Sequence, residues 1–243
     1  MKFEFLRIKD FGDCKDDFEN KLFLTFDIDW ASDEVFNYTI DQIEMYDISA
    51  TFFVTHTTPV LERLRKNQKM ELGIHPNFSF LMNGDYRYGR NCEEVIDYYM
   101  KIVPEAVSAR SHALVQGTEI LDIYHKKGIK YDLNLLIPRS SQIELKPIQI
   151  WLDDFIRLPY FWEDDTSIYM NESNDASLYL NTSGLKIFDF HPIHIFLNTE
   201  KMDRYVKAKE FFRDYYNLKN CINQGGPGTT NFFHELLKKA NGK

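Results

Sequence analysis

Two aspartates, Asp27 and Asp29, follow an apolar run at 21–26 and are separated by one isoleucine. The nearly continuous hydrophobes of this run are typical of a strand buried on both faces. Because side chains alternate along a strand, both carboxylates should lie on one side at its C-terminal end. Two carboxylates placed there can share a proton or hold a cation. In the alternative interpretation, one caps the following helix and the other is solvated.

Histidine and arginine side chains follow other apolar runs in the same way. In chain order they are His75, Arg110, His112, His191 and His194. An aromatic and acidic group that includes Trp162 and Glu163 also follows an apolar stretch. Strand ends of α/β folds are where sites are usually built, so these residues are candidates for one site.

Alternating strands and helices must position these residues. The sequence predicts strands at 21–27, 48–55, 70–75, 107–112, 129–134 and 185–192, with one or two short strands within 148–160. It predicts helices beginning at Ser32 and spanning 61–69, 92–103, 119–127, 203–216 and 231–239, and an aromatic loop at 77–90. Such alternation indicates an α/β fold with a parallel sheet and right-handed crossovers, open or closed into a barrel. In a barrel the strand ends converge on one face.

Length, charge and cysteine content limit the other possibilities. The 243 residues are expected to form a single domain, with a lead-in at 1–20 and C-terminal helices at 200–243. A net charge of −8 argues against a broad surface for nucleic acid or anionic lipid, and no apolar stretch is long enough for a membrane span. Three widely spaced cysteines fit a reducing compartment. A cytoplasmic protein is therefore expected.

The strand-end residues also carry a family resemblance. Thr25-Phe-Asp-Ile-Asp29, Ala50-Thr-Phe-Phe53, Leu72-Gly-Ile-His75, Arg110 and His191 occur in an order that resembles the polysaccharide deacetylase family, carbohydrate esterase family 4, over about residues 20–200. The resemblance implies a distorted (β/α) barrel of about seven parallel strands. It also implies a divalent metal, usually zinc, and hydrolysis of an N-acetyl amide.

The resemblance assigns roles to individual residues. Asp27 matches the catalytic base and Asp29 the metal-binding acid. His75 matches the first metal-ligand histidine, Arg110 the arginine that orients the base, and His191 the general acid.

Three positions depart from the family pattern. Ser79 stands where the family usually has a second ligand histidine, Ile28 separates acids that are commonly adjacent, and His112 replaces a usual proline. His112 is therefore the preferred third ligand, with a hydrogen-bonding role behind the ligands as the alternative. His194, Asn77 and Glu163 remain the other candidates.

A catalytic zinc site needs about three nitrogen or oxygen ligands and one open position, and Asp29, His75 and His112 would meet that count. Asp27, kept ionised by Arg110, could act as general base. His191 or His194 could protonate the leaving amine. Substrate contacts are expected from Asn77, Trp162 and Glu163, although the acidic group could also be a solvated loop.

These expectations favour metal-dependent N-deacetylation of a small N-acylated sugar or sugar conjugate, within polysaccharide or surface-glycan biosynthesis. One alternative is a metal-independent amidase acting on another small C–N substrate. Another is a non-catalytic module that binds a glycan or nucleotide sugar. The sequence leaves the sugar, the acyl group and the oligomeric state open.

Overall fold

The structure is a computed structural model that describes residues 2–29 and 31–242, and one ten-stranded sheet runs through this part of the chain. Its strands are β1 Glu4–Leu6, β2 Lys21–Asp27, β3 Ala50–Val54, β4 Met70–Ile74, β5 Ser108–Ala109, β6 Tyr131–Asp132, β7 Ile148–Gln149, β8 Ile156–Arg157, β9 Trp162–Glu163 and β10 Ile187–Phe190. The α-helices are α1 Asp33–Glu44, α2 Val60–Lys66, α3 Ser79–Met82, α4 Cys92–Ile102, α5 Thr118–Lys126, α6 Asp164–Met170, α7 Ala176–Leu180, α8 Pro192–Leu197, α9 Met202–Ala208, α10 Tyr215–Leu218 and α11 Thr229–Ala240.

The sheet is mostly parallel and curled. Its order is β7-β8-β6-β5-β4-β3-β2-β10-β9, β1 pairs with β2, and only β7 and β8 pair antiparallel among the described strands. Leu145, which precedes β7 at one flank, bridges Gly184, which precedes β10 near the other. The expected α/β class and distorted (β/α) barrel are therefore confirmed. The strands exceed the expected seven because several pieces of only two or three residues join the sheet.

Side-chain alternation along the central strands separates a polar interior from an apolar exterior. On β4, Glu71 faces inward and accepts hydrogen bonds from Thr51 Oγ1 at 2.9 Å and Ser108 Oγ at 2.8 Å. Gly73 and His75 follow at the same period-two spacing, so they face the same interior. The polar face of the sheet therefore leads directly to the strand-end histidine.

The opposite face of the sheet packs against helices through aromatic rings. Phe26 of β2 stacks on Phe52 of β3 with ring centroids 5.0 Å apart and meets Phe233 of α11 edge-on at 6.1 Å. Phe190 of β10 contacts the same Phe233 ring at 5.1 Å. Full burial of such side chains contributes about 1.5–3 kcal/mol each, so this layer anchors α11 to the strands that carry the acids.

The N-terminal segment packs into the end of the sheet opposite the strand-end acids. After β1, a 3-10 helix at Ile8–Asp13 buries Ile8 and Phe11, and the Phe11 ring lies 6.1 Å from Phe23. The backbone N–H of Ile8 donates to Thr51 Oγ1 at 3.0 Å, and that of Lys9 donates to Glu71 at 2.8 Å. These bonds satisfy polar groups that would otherwise be buried without partners.

Several expected elements need correction. The expected loop at 77–90 contains the single-turn helix α3, and the expected helix at 203–216 is broken into α9, a 3-10 turn at Lys209–Phe211 and α10. Helices α6, α7 and α8 were not anticipated, because short helices give too few residues for a 3.6-residue period to emerge.

The remaining global expectations concern cysteines and membrane spans. Cys14, Cys92 and Cys221 are all free thiols. Among the described residues, no helix has both the length and the apolar character needed to cross a bilayer.

We expect Gly73→Ala to destabilise the protein. An alanine Cβ at this position would lie 2.7 Å from the Phe53 ring and from Ser108 Oγ, so the barrel interior must shift to admit it. Overpacking of this kind costs about 1–3 kcal/mol in unfolding free energy, measurable by urea denaturation. Gly226→Ala is the matched control because its added Cβ has no neighbour within 4 Å. Equal stabilities of the two variants would contradict the proposed steric constraint.

Candidate active site

The buried Arg110 guanidinium joins the segment after β5 to the neighbouring strands β2 and β10, which lie elsewhere in the sheet. Its Nη2 lies 2.6 Å from Asp27 Oδ1 at the end of β2 and also pairs with Asp189 Oδ1 on β10. Thr25 Oγ1 accepts from Arg110 Nη1 at 3.1 Å and from Nη2 at 3.0 Å. Burial opposes charge on Arg110, but Asp189 and Asp27 outweigh it and raise the arginine pKa. The guanidinium therefore stays charged beside two buried carboxyl groups, and burial raises the pKa of Asp189 well above its usual value.

Asp29, His75 and His112 form a compact group beside this pair. Their potential ligand atoms all lie within 4.8 Å of one another. His75 Nε2 is 3.3 Å from Asp29 Oδ2, and His112 Nδ1 is 2.9 Å from the same oxygen. The histidine rings meet edge to face, with centroids 5.6 Å apart. These three residues were predicted as metal ligands, and the structure brings them together.

This group fits a divalent metal such as zinc. Two imidazoles and one carboxylate provide the nitrogen and oxygen donors that catalytic zinc sites use, with a position left for water. Both ring nitrogens of His75 are buried without a hydrogen-bond partner among the described residues. With Nε2 as ligand, Nδ1 would face Asp27 Oδ2 at 3.3 Å, a second contact of the kind that orients metal-binding histidines.

The charges within the group favour an ionised Asp29. Burial alone would raise the Asp29 pKa, but His75 and His112 outweigh burial and hold it well below its usual value. Burial likewise disfavours charge on His112, yet the hydrogen bond to Asp29 raises its pKa. Asp29 thus presents a carboxylate, the form in which aspartate binds metal.

His112 is positioned by a turn with an unusual backbone conformation. The expected strand through 112 stops at Ala109, and His112 begins a 3-10 turn at His112–Leu114. Ala113 and Leu114 both have φ near 54°, in the left-handed region that is costly for residues with a Cβ. The His112 N–H is held by Pro76 O at 2.9 Å, one residue after His75. Strained backbone of this type clusters at functional sites.

His191 lies on the other side of Asp27 and pairs with Asp164. Its Nδ1 is 2.7 Å from Asp164 Oδ1, and its backbone N–H donates to Asp164 Oδ2 at 2.8 Å. Burial opposes a charged imidazole, but Asp164 outweighs it and raises the His191 pKa well above its usual value. Potential ligand atoms of Asp27, Asp189 and His191 lie within 4.8 Å of one another. A protonated histidine therefore adjoins the carboxylate expected to act as base.

His194 has different surroundings from His191. It lies in α8, is buried, and places Nδ1 3.0 Å from Thr199 Oγ1. Its ring packs against Tyr205 with centroids 4.8 Å apart and meets the His191 ring edge-on at 5.7 Å. Burial lowers the His194 pKa, which favours a neutral imidazole. Of the two histidines predicted as acid, His191 is the one held in the protonated form.

Glu163 lies close to His191 and to the neighbouring acid Asp165. Tyr160 donates to Glu163 Oε2 at 2.6 Å. Burial and the nearby Asp165 raise the Glu163 pKa to about 8. The pKa of Asp165 is lowered: burial opposes this, but His191 and the Glu163 hydrogen bond outweigh it. Glu163 thus acts as a protonated donor toward Asp165.

The two remaining predicted substrate residues have different positions. Asn77 lines a cleft of about 660 Å³ together with Asp29. Trp162 is buried, and its ring stacks on Phe232 of α11 with centroids 4.5 Å apart. The substrate contact expected of Trp162 is therefore wrong for this structure, because the ring is used in core packing.

Asp164 and Asp189 were missed from the sequence. Asp189 precedes His191 by two residues on the same strand, so the alternation that paired Asp27 with Asp29 would have identified it. Asp164 lies within an acidic run, and the sequence contains no sign of which member would reach His191.

This fold, with an arginine-held carboxylate, a protonated histidine and a metal-type ligand group at one end of a curled sheet, defines the class of protein. It is a hydrolase of amide bonds, of the deacetylase type. A family model described as WbmS-like polysaccharide deacetylase matches residues 24–209. The chain belongs to this family.

Several solved structures are similar to this chain. A proposed polysaccharide deacetylase involved in O-antigen biosynthesis, from Bordetella bronchiseptica, is 39% identical, with a TM-score of 0.91 and 98% of each chain covered. A family 4 carbohydrate esterase from Streptomyces lividans in complex with acetate is 12% identical, with a TM-score of 0.47 over 70% of this chain and 78% of that chain. A proposed polysaccharide deacetylase from Mycobacterium smegmatis is 13% identical, with a TM-score of 0.46 over 91% and 90%. A search among curated protein sequences gives no significant match.

Arg110→Met is expected to lower the unfolding free energy by about 3–5 kcal/mol, because it leaves Asp27 and Asp189 buried without their countercharge. Chemical denaturation monitored by fluorescence measures this loss. Arg63→Met is the matched control, since Arg63 pairs with Asp41 and Glu44 at the surface and should cost below about 1 kcal/mol. Similar losses in both variants would mean that the buried bridge is not a major stabilising contact.

The raised pKa of Glu163 predicts a pH-dependent effect of Glu163→Gln. Between the ordinary value of 4.5 and about 8, the folded protein keeps a proton that the unfolded chain releases. The contribution of Glu163 to the unfolding free energy is therefore fully present below about pH 4.5 and is lost as the pH rises to about 8. Because glutamine stays neutral, the variant should gain stability relative to the parent across this window and then level off. Unfolding free energies over about pH 5 to 9 test this, and a pH-independent difference would refute it.

Proposed function

We propose that the protein is a zinc-dependent deacetylase that removes the acyl group from an N-acylated sugar or sugar conjugate. The observation that carries the proposal is the placement of the Asp29–His75–His112 group beside Asp27, within reach of a protonated His191. A base, an acid and a set of metal ligands at one strand-end face are what metal-assisted amide hydrolysis requires.

The side chains divide the reaction between them. A bound zinc ion would act as a Lewis acid toward water and the carbonyl oxygen. Asp27, paired with Arg110 at 2.6 Å, accepts the proton of the attacking water. His191 carries a proton on the nitrogen away from Asp164 and donates it to the departing amine. Asp164 holds the His191 ring in orientation through Nδ1.

His112 compensates for the missing ligand at Ser79. Ser79 begins α3, and its N–H donates to Asn77 Oδ1 at 3.0 Å. A neutral hydroxyl is a poor zinc ligand, whereas an imidazole is a good one. The 2.9 Å contact of His112 with Asp29 supports His112 as the third ligand.

The relative from Bordetella bronchiseptica supports a role in the biosynthesis of O-antigen or a similar surface glycan. The free cysteines support a reducing compartment, so we place the reaction in the cytoplasm. The substrate is then a small carbohydrate or activated sugar conjugate rather than a finished surface polymer.

Metal content and acetate release test the proposal together. Protein purified without chelator should contain about one zinc ion per chain, and His75→Ala and His112→Ala should lose it. Asp27→Asn should retain zinc while turnover of an N-acetylated amino sugar falls by about a hundredfold or more, because the general base is gone. Elemental analysis and acetate assays provide the two measurements.

His125→Ala is the matched histidine control, since its Nε2 contacts Asp153 O on the outer surface. Acetate release without stoichiometric metal, even after reconstitution, would favour the metal-independent amidase. Absence of both metal and release would favour the binding module. Near-normal turnover of Asp27→Asn would remove Asp27 as the base.

A further inference from the structure

A short basic segment borders the cleft that contains Asp29. Residues 209–213 follow α9 and contribute Lys209, Glu210, Phe212 and Arg213 to the cleft wall. These residues lie outside the strand-end group that carries the proposed chemistry. Their side chains therefore contact a different part of any ligand that reaches Asp29.

Aromatic packing fixes the position of this segment. Tyr205 of α9 packs against His194 at a centroid distance of 4.8 Å and against Phe212 at 5.5 Å. Lys209 Nζ lies 4.7 Å from the centroid of the Tyr205 ring. The segment is thus attached to α8, which directly follows the strand that carries Asp189.

Two cations of the cleft wall have no carboxylate partner within the part of the chain that the structure describes. Among the described residues, Arg213 makes no hydrogen bond or ion pair, whereas Arg63, Arg65 and Arg204 are each paired with carboxylates. Lys209 likewise has no carboxylate partner in this set. Glu210 lies in the same wall and Asp29 also lines the cleft, so the excess of positive charge, two cations to one anion, is confined to the segment 209–213. On a chain with a net charge of −8, this segment places two cations at the edge of the cleft.

The size and lining of the cleft match a ligand larger than one sugar ring. Its volume of about 660 Å³ lies within the range of about 300–1,000 Å³ typical of sites for small organic ligands and cofactors. Phe80, Tyr88 and Tyr99 add aromatic surface to the same cleft. Aromatic faces bind sugar or base rings, while arginine binds phosphate or carboxylate in a planar fork.

We propose that Lys209 and Arg213 bind an anionic group, phosphate or carboxylate, on the N-acylated sugar whose amide reacts beside Asp29. This inference rests on the proposed deacetylase function and defines its substrate class. The anionic group can belong to a nucleoside diphosphate attached to the sugar or to a uronic acid. Both present the same chemistry to a guanidinium.

Matched substrates test the anion site. We would compare a neutral N-acetylhexosamine, an N-acetylhexosaminuronic acid and a nucleoside-diphosphate-linked N-acetylhexosamine by steady-state kinetics. One anionic substrate should show a KM lower than that of the neutral sugar by about tenfold or more, with the KM rising as salt increases. The anionic substrate that gains identifies the source of the charge.

Arg213→Gln should reduce the preference for that anionic substrate, expressed as the ratio of kcat/KM values, by about ten- to a hundredfold, mostly through KM. Lys207→Gln is the matched control because Lys207 is an exposed cation of α9 outside the cleft. An unchanged preference in Arg213→Gln, or equal KM values for charged and neutral sugars, would overturn the anion site and leave the deacetylase function intact.

Calorimetric titration with uridine diphosphate or glucuronate separates binding from catalysis. Binding of either probe that Arg213→Gln weakens, in a protein that deacetylates none of the three sugars, would support the anion site while refuting the proposed function. No binding of either probe, together with full activity on the neutral sugar, would refute the anion site alone.

Discussion

The buried Arg110 guanidinium is the contact on which the rest of the structure depends. Arg110 follows β5, whereas its carboxylate partners lie on β2 and β10, so the sheet must curl for them to meet. The guanidinium carbon also lies 4.5 Å from the centroid of the Phe53 ring and 5.1 Å from that of Tyr160. A buried cation is tolerated only when such partners satisfy it. Gly73 contributes indirectly, because its missing side chain leaves space for Phe53.

The two proposed acid–base residues of the site, Asp27 and His191, have different electrostatic surroundings. Asp27 is paired with the permanent positive charge of Arg110, while His191 faces Asp164, which outweighs burial and raises the His191 pKa. Distinct environments for neighbouring titratable groups are typical of catalytic acid–base pairs. Asp27 and His191 lie at the ends of β2 and β10, which are neighbours in the sheet.

The sequence predicted the part of the site that follows from strand alternation. Asp27, Asp29 and His75 could be placed because long apolar runs precede them and the period of two fixes their side. The pairing of Asp164 with His191 could not be predicted, because it joins residues 27 positions apart through the local geometry of α6. Trp162 was misjudged since an aromatic residue beside acids has the same sequence pattern whether it faces a ligand or α11. The division of 203–216 into short helices depends on packing against α8 rather than on helix propensity.

His112 is the residue that we propose as the third metal ligand in place of Ser79. The position of Ser79 belongs to the segment after β4, whereas His112 comes from the segment after β5, the next strand in the sheet. Adjacent parallel strands end at the same edge, so an imidazole from either segment can approach Asp29. The segment that leads from β5 to His112 is short. Its approach to Asp29 requires Ala113 and Leu114 to adopt left-handed conformations. Such strain persists where surrounding contacts outweigh it, and here the hydrogen bond from His112 to Pro76 O and the contact with Asp29 provide them. The proposed ligand group therefore draws its three residues from the ends of three strands, β2, β4 and β5.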